Sequence, residues 1–206
     1  GNVNLGATIF SPLLSTSFQR AYGNIYSTPA DMYEATYATT IETLLPSTTP
    51  QSELFSTGKL PATALFASDS LPKPAGFEVF FGTPNLIKTS YRQAVMADTV
   101  TNPTAPKQPL RAAAYKNDLL RQNWTPAQPM LLCGGNADPT VFFALNTQGA
   151  QAYFASKGVP AQAVTVLDVD GSPTSASDPF AAAKVGFGQP QAAAAVGGAA
   201  AVMQTY

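Results

Sequence analysis

A chain of 206 residues that is 45% apolar is long and apolar enough to bury a core, so it is not a disordered segment. Its 11 Lys and Arg against 12 Asp and Glu leave a net charge of −1, with no basic stripe of the kind a phosphate backbone demands, and no nucleic-acid partner is expected. Nowhere do about 20 apolar residues run uninterrupted, as a membrane-spanning helix requires, because Gly186, Gly188, Pro190 and Gly197-Gly198 cut the alanine-rich tail.

The first half reads as helices punctuated by proline. Ser11-Pro12 sets a helix start, Leu13, Leu14, Phe18 and Tyr22 follow at helical spacing, and Gly23 supplies a stop. Thr28-Pro29 repeats the device, with Asp31 near the helix N-terminus and Met32, Tyr33, Thr36, Tyr37, Ile41, Leu44 and Leu45 along one face until Pro46. A third, shorter helix is expected from Thr49-Pro50 through Leu54 and Phe55 to Gly58. From Leu60 to Pro84 proline and glycine recur too often for long elements, which predicts loops and short turns. Helix resumes near Ser90, with Tyr91, Val95 and Met96 on one side, and residues 101–109, with three prolines, read as a linker. A further helix is expected from Leu110 to Gln122. The aromatics of this half, among them Phe10, Phe18, Tyr33, Tyr37, Phe55, Phe66 and Phe77, fit either a plain core or the walls of an acyl or aryl pocket.

The second half changes period. Met130 to Cys133 and Ala163 to Val169 are short apolar runs, as in parallel strands buried on both faces. Between them a helix is expected from Pro139 to Lys157, stopped by Gly158, which completes a strand-helix-strand unit. The lone Cys133 can form no internal disulfide and lacks zinc-site spacing, so an inert buried thiol is expected. After Asp170 an alanine-rich helix is expected to run on to Tyr206.

Chemistry concentrates at Gly134-Gly135 and Asp138. A strand ending in two glycines delivers that aspartate to the carboxyl edge of a sheet, where open α/β folds place their active sites. Asp138-Pro139 is equally a helix N-cap followed by a first helical residue. Asp168-x-Asp170-Gly171 lacks the remaining ligands of a calcium loop, and Gly134-Gly135 lacks the three-glycine spacing of a dinucleotide site. Ser11, Ser27 and Ser56 have no partner base, since the chain contains no histidine, and no Gly-x-Ser-x-Gly turn is present.

The residues Leu110-Arg111, Asn117-Asp118-Leu119, Trp124-Thr125-Pro126, Pro129, Leu131 to Gly135, Asp138 to Val141 and Phe143 resemble bacterial α/β-hydrolases of the secreted lipase and esterase type. The similarity is most specific over residues 110–170 and loose over the helical first half. It implies a partial α/β-hydrolase fold: a mostly helical cap over residues 1–109, then a C-terminal part of the core over 110–206 with a parallel strand-helix-strand unit and a C-terminal helix. It also implies that Asp138 is the acid of a Ser-His-Asp triad whose serine and histidine lie outside this chain. The expected parent is a carboxylic-ester hydrolase and the piece alone is expected to be inactive. Its partners would be a small-molecule ester or lipid and the missing N-terminal part of the same protein, with no cofactor or metal. Charged residues at only 11%, replaced by Ala, Ser, Thr, Pro and Gln, suggest an exported bacterial protein, secreted or periplasmic. The chain opens on Gly1-Asn2-Val3 with neither initiator Met nor signal sequence, so its natural N-terminus is expected upstream. The competing expectation is a non-catalytic helical binding or interaction module whose strand-helix-strand piece is structural.

Overall fold

The computed structural model describes residues 6–198, 201–202 and 205–206. They fall into two compact units, one helical and ending at Asp118, the other beginning at Leu119.

The helical unit opens with α1 (Ala7–Tyr22), which ends on Gly23 at φ 71°, a left-handed residue whose N–H closes onto the Gln19 carbonyl. The helix starts a full turn before the expected Ser11, and Pro12 lies inside it. Its buried stripe is Thr8, Pro12, Ser15 and Thr16, while Leu14 is half exposed. The sequence pattern predicted the bulky face and the structure buries the small one. Ser15 and Thr16 turn their hydroxyls back onto the carbonyls of Ser11 and Pro12, both at 2.7 Å, and Ser15 also bonds the buried Tyr33 hydroxyl.

The single helix expected from Pro29 to Leu45 is three one-turn helices, α2 (Pro29–Met32), α3 (Ala35–Ala38) and α4 (Ile41–Leu44). The start is as expected: Thr28 and Asp31 form a capping box, with Asp31 Oδ2 accepting the N–H groups of Ser27 and Thr28 at 3.0 and 2.8 Å. The break comes at Tyr33, whose backbone turns extended to bridge Ile87; Glu34 N–H donates to the Leu86 carbonyl and Lys88 N–H to that of Met32, both at 2.9 Å. Backbone pairing with a distant segment thus overrides local helical propensity. The apolar face nevertheless goes where its spacing sends it. Met32, Tyr33, Tyr37, Ile41 and Leu45 are all buried, and Leu54, Leu60 and Leu86 complete the core.

After α5 (Gln51–Ser56), which stops at Gly58 with φ 69°, residues 60–84 form loops and one short turn over Glu78–Phe80. Then come α6 (Thr89–Thr101) and α7 (Pro109–Asn117), the latter packed on α1. Residues 102–108 are no free linker. Buried Asp98 accepts the Lys107 N–H at 3.2 Å and the Asn102 amide at 2.8 Å, and it pairs with Arg111.

That carboxylate and Asp69 make the helical unit acid-sensitive. Thr89, the Leu71 N–H and Arg92 hold the Asp69 carboxyl below the usual range. Burial would raise Asp98, but the N–H groups of Gln108 and Lys107 together with Arg111 and Asn102 outweigh it and hold it low as well. A carboxylate whose folded value lies below the unfolded value of about 3.9 contributes stability above that pH and loses it as pH falls through the folded value. We expect melting temperatures that are level from pH 7 to about 5 and fall below about pH 4. Asp98→Asn should be less stable at pH 7 and lose less in acid than the parent chain, and parallel melts in which its acid loss matches the parent's would contradict the assignment.

The second unit contains β1 (Met130–Gly134) and β2 (Val164–Asp168), paired in parallel from Met130 beside Val164 to Gly134 beside Asp168. Between them lies α8 (Thr147–Ser156), which stops at Gly158 with φ 77°. It begins well after the expected Pro139. Residues 139–146 form bends and turns that bring Phe143 and Thr147 onto Gly134. The expectation that β1 is buried on both faces, with Cys133 inert inside, is corrected. Side chains alternate across a strand, and Leu131 and Cys133 emerge on the face opposite Phe143 and Thr147, where both are exposed. The last helix, α9 (Ala181–Ala194), does not run on to Tyr206: a short turn over Ala195–Gly197 ends at Gly198, where φ is 83°. Among the described residues no helix is long and apolar enough to cross a membrane.

Candidate functional site

The carboxyl ends of β1 and β2 gather Asp138, Asp168 and Asp170. Two glycines make this possible. A Cβ on Gly134 would lie 2.5 Å from Thr147 Oγ1 and 3.0 Å from the Phe143 ring. One on Gly135 would lie 2.6 Å from Asp170 Oδ2 and 2.8 Å from Tyr206 Cε1. The strand end is therefore pressed between the α8 approach and the Asp170 loop, and no larger residue fits without displacement. Gly135→Ala should lower stability by about 1–3 kcal/mol, as overpacking at a closed site does. A thermal melt coinciding with that of the parent chain would show that Tyr206 gives way freely.

The three carboxylates are engaged differently. Asp168 is occupied on both oxygens: Oδ1 accepts the N–H groups of Asn136 and Asp170, both at 3.1 Å, and Oδ2 the Asn136 amide at 2.7 Å. Asp170 is likewise occupied, by the Ala137 N–H at 2.7 Å on Oδ2 and by Gln191 at 3.0 Å and the Tyr206 hydroxyl at 2.6 Å on Oδ1. Burial, then the bond to Asp170 and its charge, push the Tyr206 hydroxyl up to about 12. These two aspartates staple the β1 and β2 loops together.

Asp138 stands apart. Its Oδ1 accepts the N–H groups of Thr140 at 2.8 Å and Val141 at 3.0 Å, and its own N–H donates to the Gly135 carbonyl at 3.1 Å. Its Oδ2 accepts no hydrogen bond among the described residues. The N-cap expectation holds for the donors and fails for the helix. The side chain caps a tight turn of the Asx kind, and α8 begins only at Thr147. Such an arrangement fixes a carboxylate in direction while leaving one oxygen to accept a proton donor. Among the described residues no three Cys, Asp or Glu side chains converge in a way that would hold a metal ion.

The aspartates were visible in the sequence; Gln191 and Tyr206 were not, being 21 and 36 residues from the Asp170 they bind. No local pattern marks a contact that only the folded C-terminal segment creates.

Comparison with protein families and with curated proteins found no match. Comparison with solved structures found the rice cell wall degrading esterase LipA from Xanthomonas oryzae, at TM-score 0.58 and 25% identity over 87% of this chain and 38% of that one. A ligand-bound form of the same esterase matches at TM-score 0.56 and 25% identity, with 88% and 38% covered, and a further structure of it at 0.57 and 25%, with 90% and 40% covered. The chain thus spans about two fifths of the length of these esterases. Its fold is a partial α/β fold of the esterase and hydrolase type, helical first and parallel strand-helix-strand after.

Proposed function

We propose that this chain is the acid-bearing portion of a serine ester hydrolase, with Asp138 as the triad acid and the serine and histidine supplied by sequence outside these 206 residues. The observation that carries the reading is the state of Asp138: a strand-end carboxylate with Oδ1 fixed by two backbone N–H groups and Oδ2 unengaged among the described residues. A serine hydroxyl attacks an acyl carbon when a histidine takes its proton, and an oriented carboxylate oxygen is what selects that histidine's tautomer and stabilises its charged form. Asp168 and Asp170 have both oxygens engaged by structural donors and suit that duty less well. Exposed Leu131 and Cys133 fit a sheet face that further helices cover, and the outer edges of the two-stranded sheet fit further strands, both supplied in this reading by the missing N-terminal part of the protein. The cap role of the helical unit, an ester or lipid substrate, and a secreted or periplasmic bacterial setting belong to the same reading, which the likeness to LipA supports.

The chain has no histidine, so the isolated 206 residues should hydrolyse p-nitrophenyl esters no faster than buffer. Turnover that survives repurification and is abolished by a serine-directed inhibitor would overturn the reading.

A further inference from the structure

Within the helical unit lies a cleft of about 530 Å³, a volume typical of small-molecule sites and far larger than packing defects in a protein interior. Its walls come chiefly from α1, the loops around Phe66, residues 72–81, and α6 with Val95 and Met96, with Met32, Ile87 and Leu110 completing them. Of the aromatics in the first half, Tyr33 and Tyr37 are plain core, and Phe66 and Phe77 face this space together with Phe80 and Phe81.

The cleft is held open by a wall whose charges are already matched. Arg92, 6% exposed, is its one ionised lining side chain among the described residues. The guanidinium packs 4.7 Å from the Phe81 ring centre and 5.4 Å from that of Phe66, bonds Asp69 Oδ1 at 2.8 Å, and donates to the Pro72 carbonyl. Asp69 is fixed in turn by the Thr89 hydroxyl at 2.8 Å and the Leu71 N–H at 3.0 Å. The backbone clamps the same wall, with Phe66 N–H on the Phe80 carbonyl at 2.9 Å and Gly82 N–H on the Phe66 carbonyl at 3.0 Å. Phe66 and Phe81 are thereby pinned by a buried arginine and its partly buried partner, and the space before them cannot simply collapse.

We propose that this cleft is a binding site for an uncharged, largely hydrocarbon small molecule of roughly ten to twenty heavy atoms. An anion would have to compete with Asp69 for Arg92, and among the described residues no carboxylate lines the cleft to pair with a cation, so either would be stripped of water without a counter-charge. An uncharged ligand loses no such hydration, and it gains the aromatic surface that water can only poorly solvate.

The test is a fluorescence titration of the 206-residue chain with N-phenyl-1-naphthylamine, an uncharged apolar probe, followed by displacement. Expected are saturable one-to-one binding with Kd on the order of 10 μM, displacement by 1-decanol, and at least tenfold weaker displacement by decanoate and by decylammonium. Val95→Trp fills the cleft from α6 and should weaken probe binding at least tenfold while the melting temperature is kept. Should that variant not fold, Phe77→Ala decides instead, since Phe77 is 37% exposed and its loss should cost at least threefold in affinity without unfolding the chain. No saturable binding, affinity unchanged in the folded variant, or decanoate or decylammonium displacing as well as decanol would each overturn the proposal. Binding is read without turnover, so the result is independent of whether the chain belongs to an ester hydrolase.

Discussion

In the longer protein proposed to contain this chain, Asp138→Asn should cut ester turnover by up to roughly 10⁴-fold while changing stability by less than about 1 kcal/mol. The two effects separate because the substitution acts on one oxygen only. An asparagine carbonyl can take the place of Oδ1 and accept the same Thr140 and Val141 N–H groups, so the turn survives. The amide nitrogen then replaces Oδ2, and a donor stands where a histidine N–H would need an acceptor. The charge that stabilises imidazolium is lost with it. Asp168→Asn and Asp170→Asn make the contrast. Both native oxygens accept there, so an amide nitrogen would face a present donor unless the Asn136 or Gln191 amide flips or the Tyr206 hydroxyl turns to accept, and the expected damage is to folding. Steady-state rates and melts on the three variants decide it: near-full activity in Asp138→Asn removes this residue from the catalytic set.

Leu86→Ala should destabilise the helical unit by about 2–5 kcal/mol, the largest stability effect expected here. Leu86 is 0% exposed. Its backbone ties two segments together, donating to the Ala64 carbonyl at 3.1 Å and accepting from Glu34 N–H at 2.9 Å. The substitution keeps both bonds and removes only the side chain, so the loss reads out packing and the cavity left behind. Val100→Ala, at a residue 81% exposed, should stay within about 0.5 kcal/mol. Denaturant unfolding that shows equal midpoints for the two variants would mean that the core is not centred where Leu86 places it.

The sequence carried the second unit further than the first. Short apolar runs ending in Gly134-Gly135 and Asp168 mark β1 and β2 as parallel strands, although β1 exposes Leu131 and Cys133 on one face. Asp138 was legible for the same reason, as the polar residue just past a strand end. Contacts between distant segments were not. The run from Pro29 to Leu45 has helical spacing, and its buried residues were identifiable, but the break at Tyr33 depends on Leu86 and Ile87 claiming its backbone. The stripe of Thr8, Pro12, Ser15 and Thr16 on α1 is invisible to any hydrophobic pattern because small polar residues are buried there by close approach. No local pattern pairs Arg92 with Asp69 or Arg111 with Asp98, and the hold of Tyr206 on Asp170 likewise belongs to tertiary structure alone.

The central claim, that these residues supply the acid and not the nucleophile, is tested most directly by labelling the full-length protein with a fluorophosphonate and mapping the modified serine by mass spectrometry. A single labelled serine outside these 206 residues, lost when the protein is unfolded before labelling, is the expected result. Stoichiometric labelling of Ser11, Ser27, Ser56 or any other serine of this chain would contradict it.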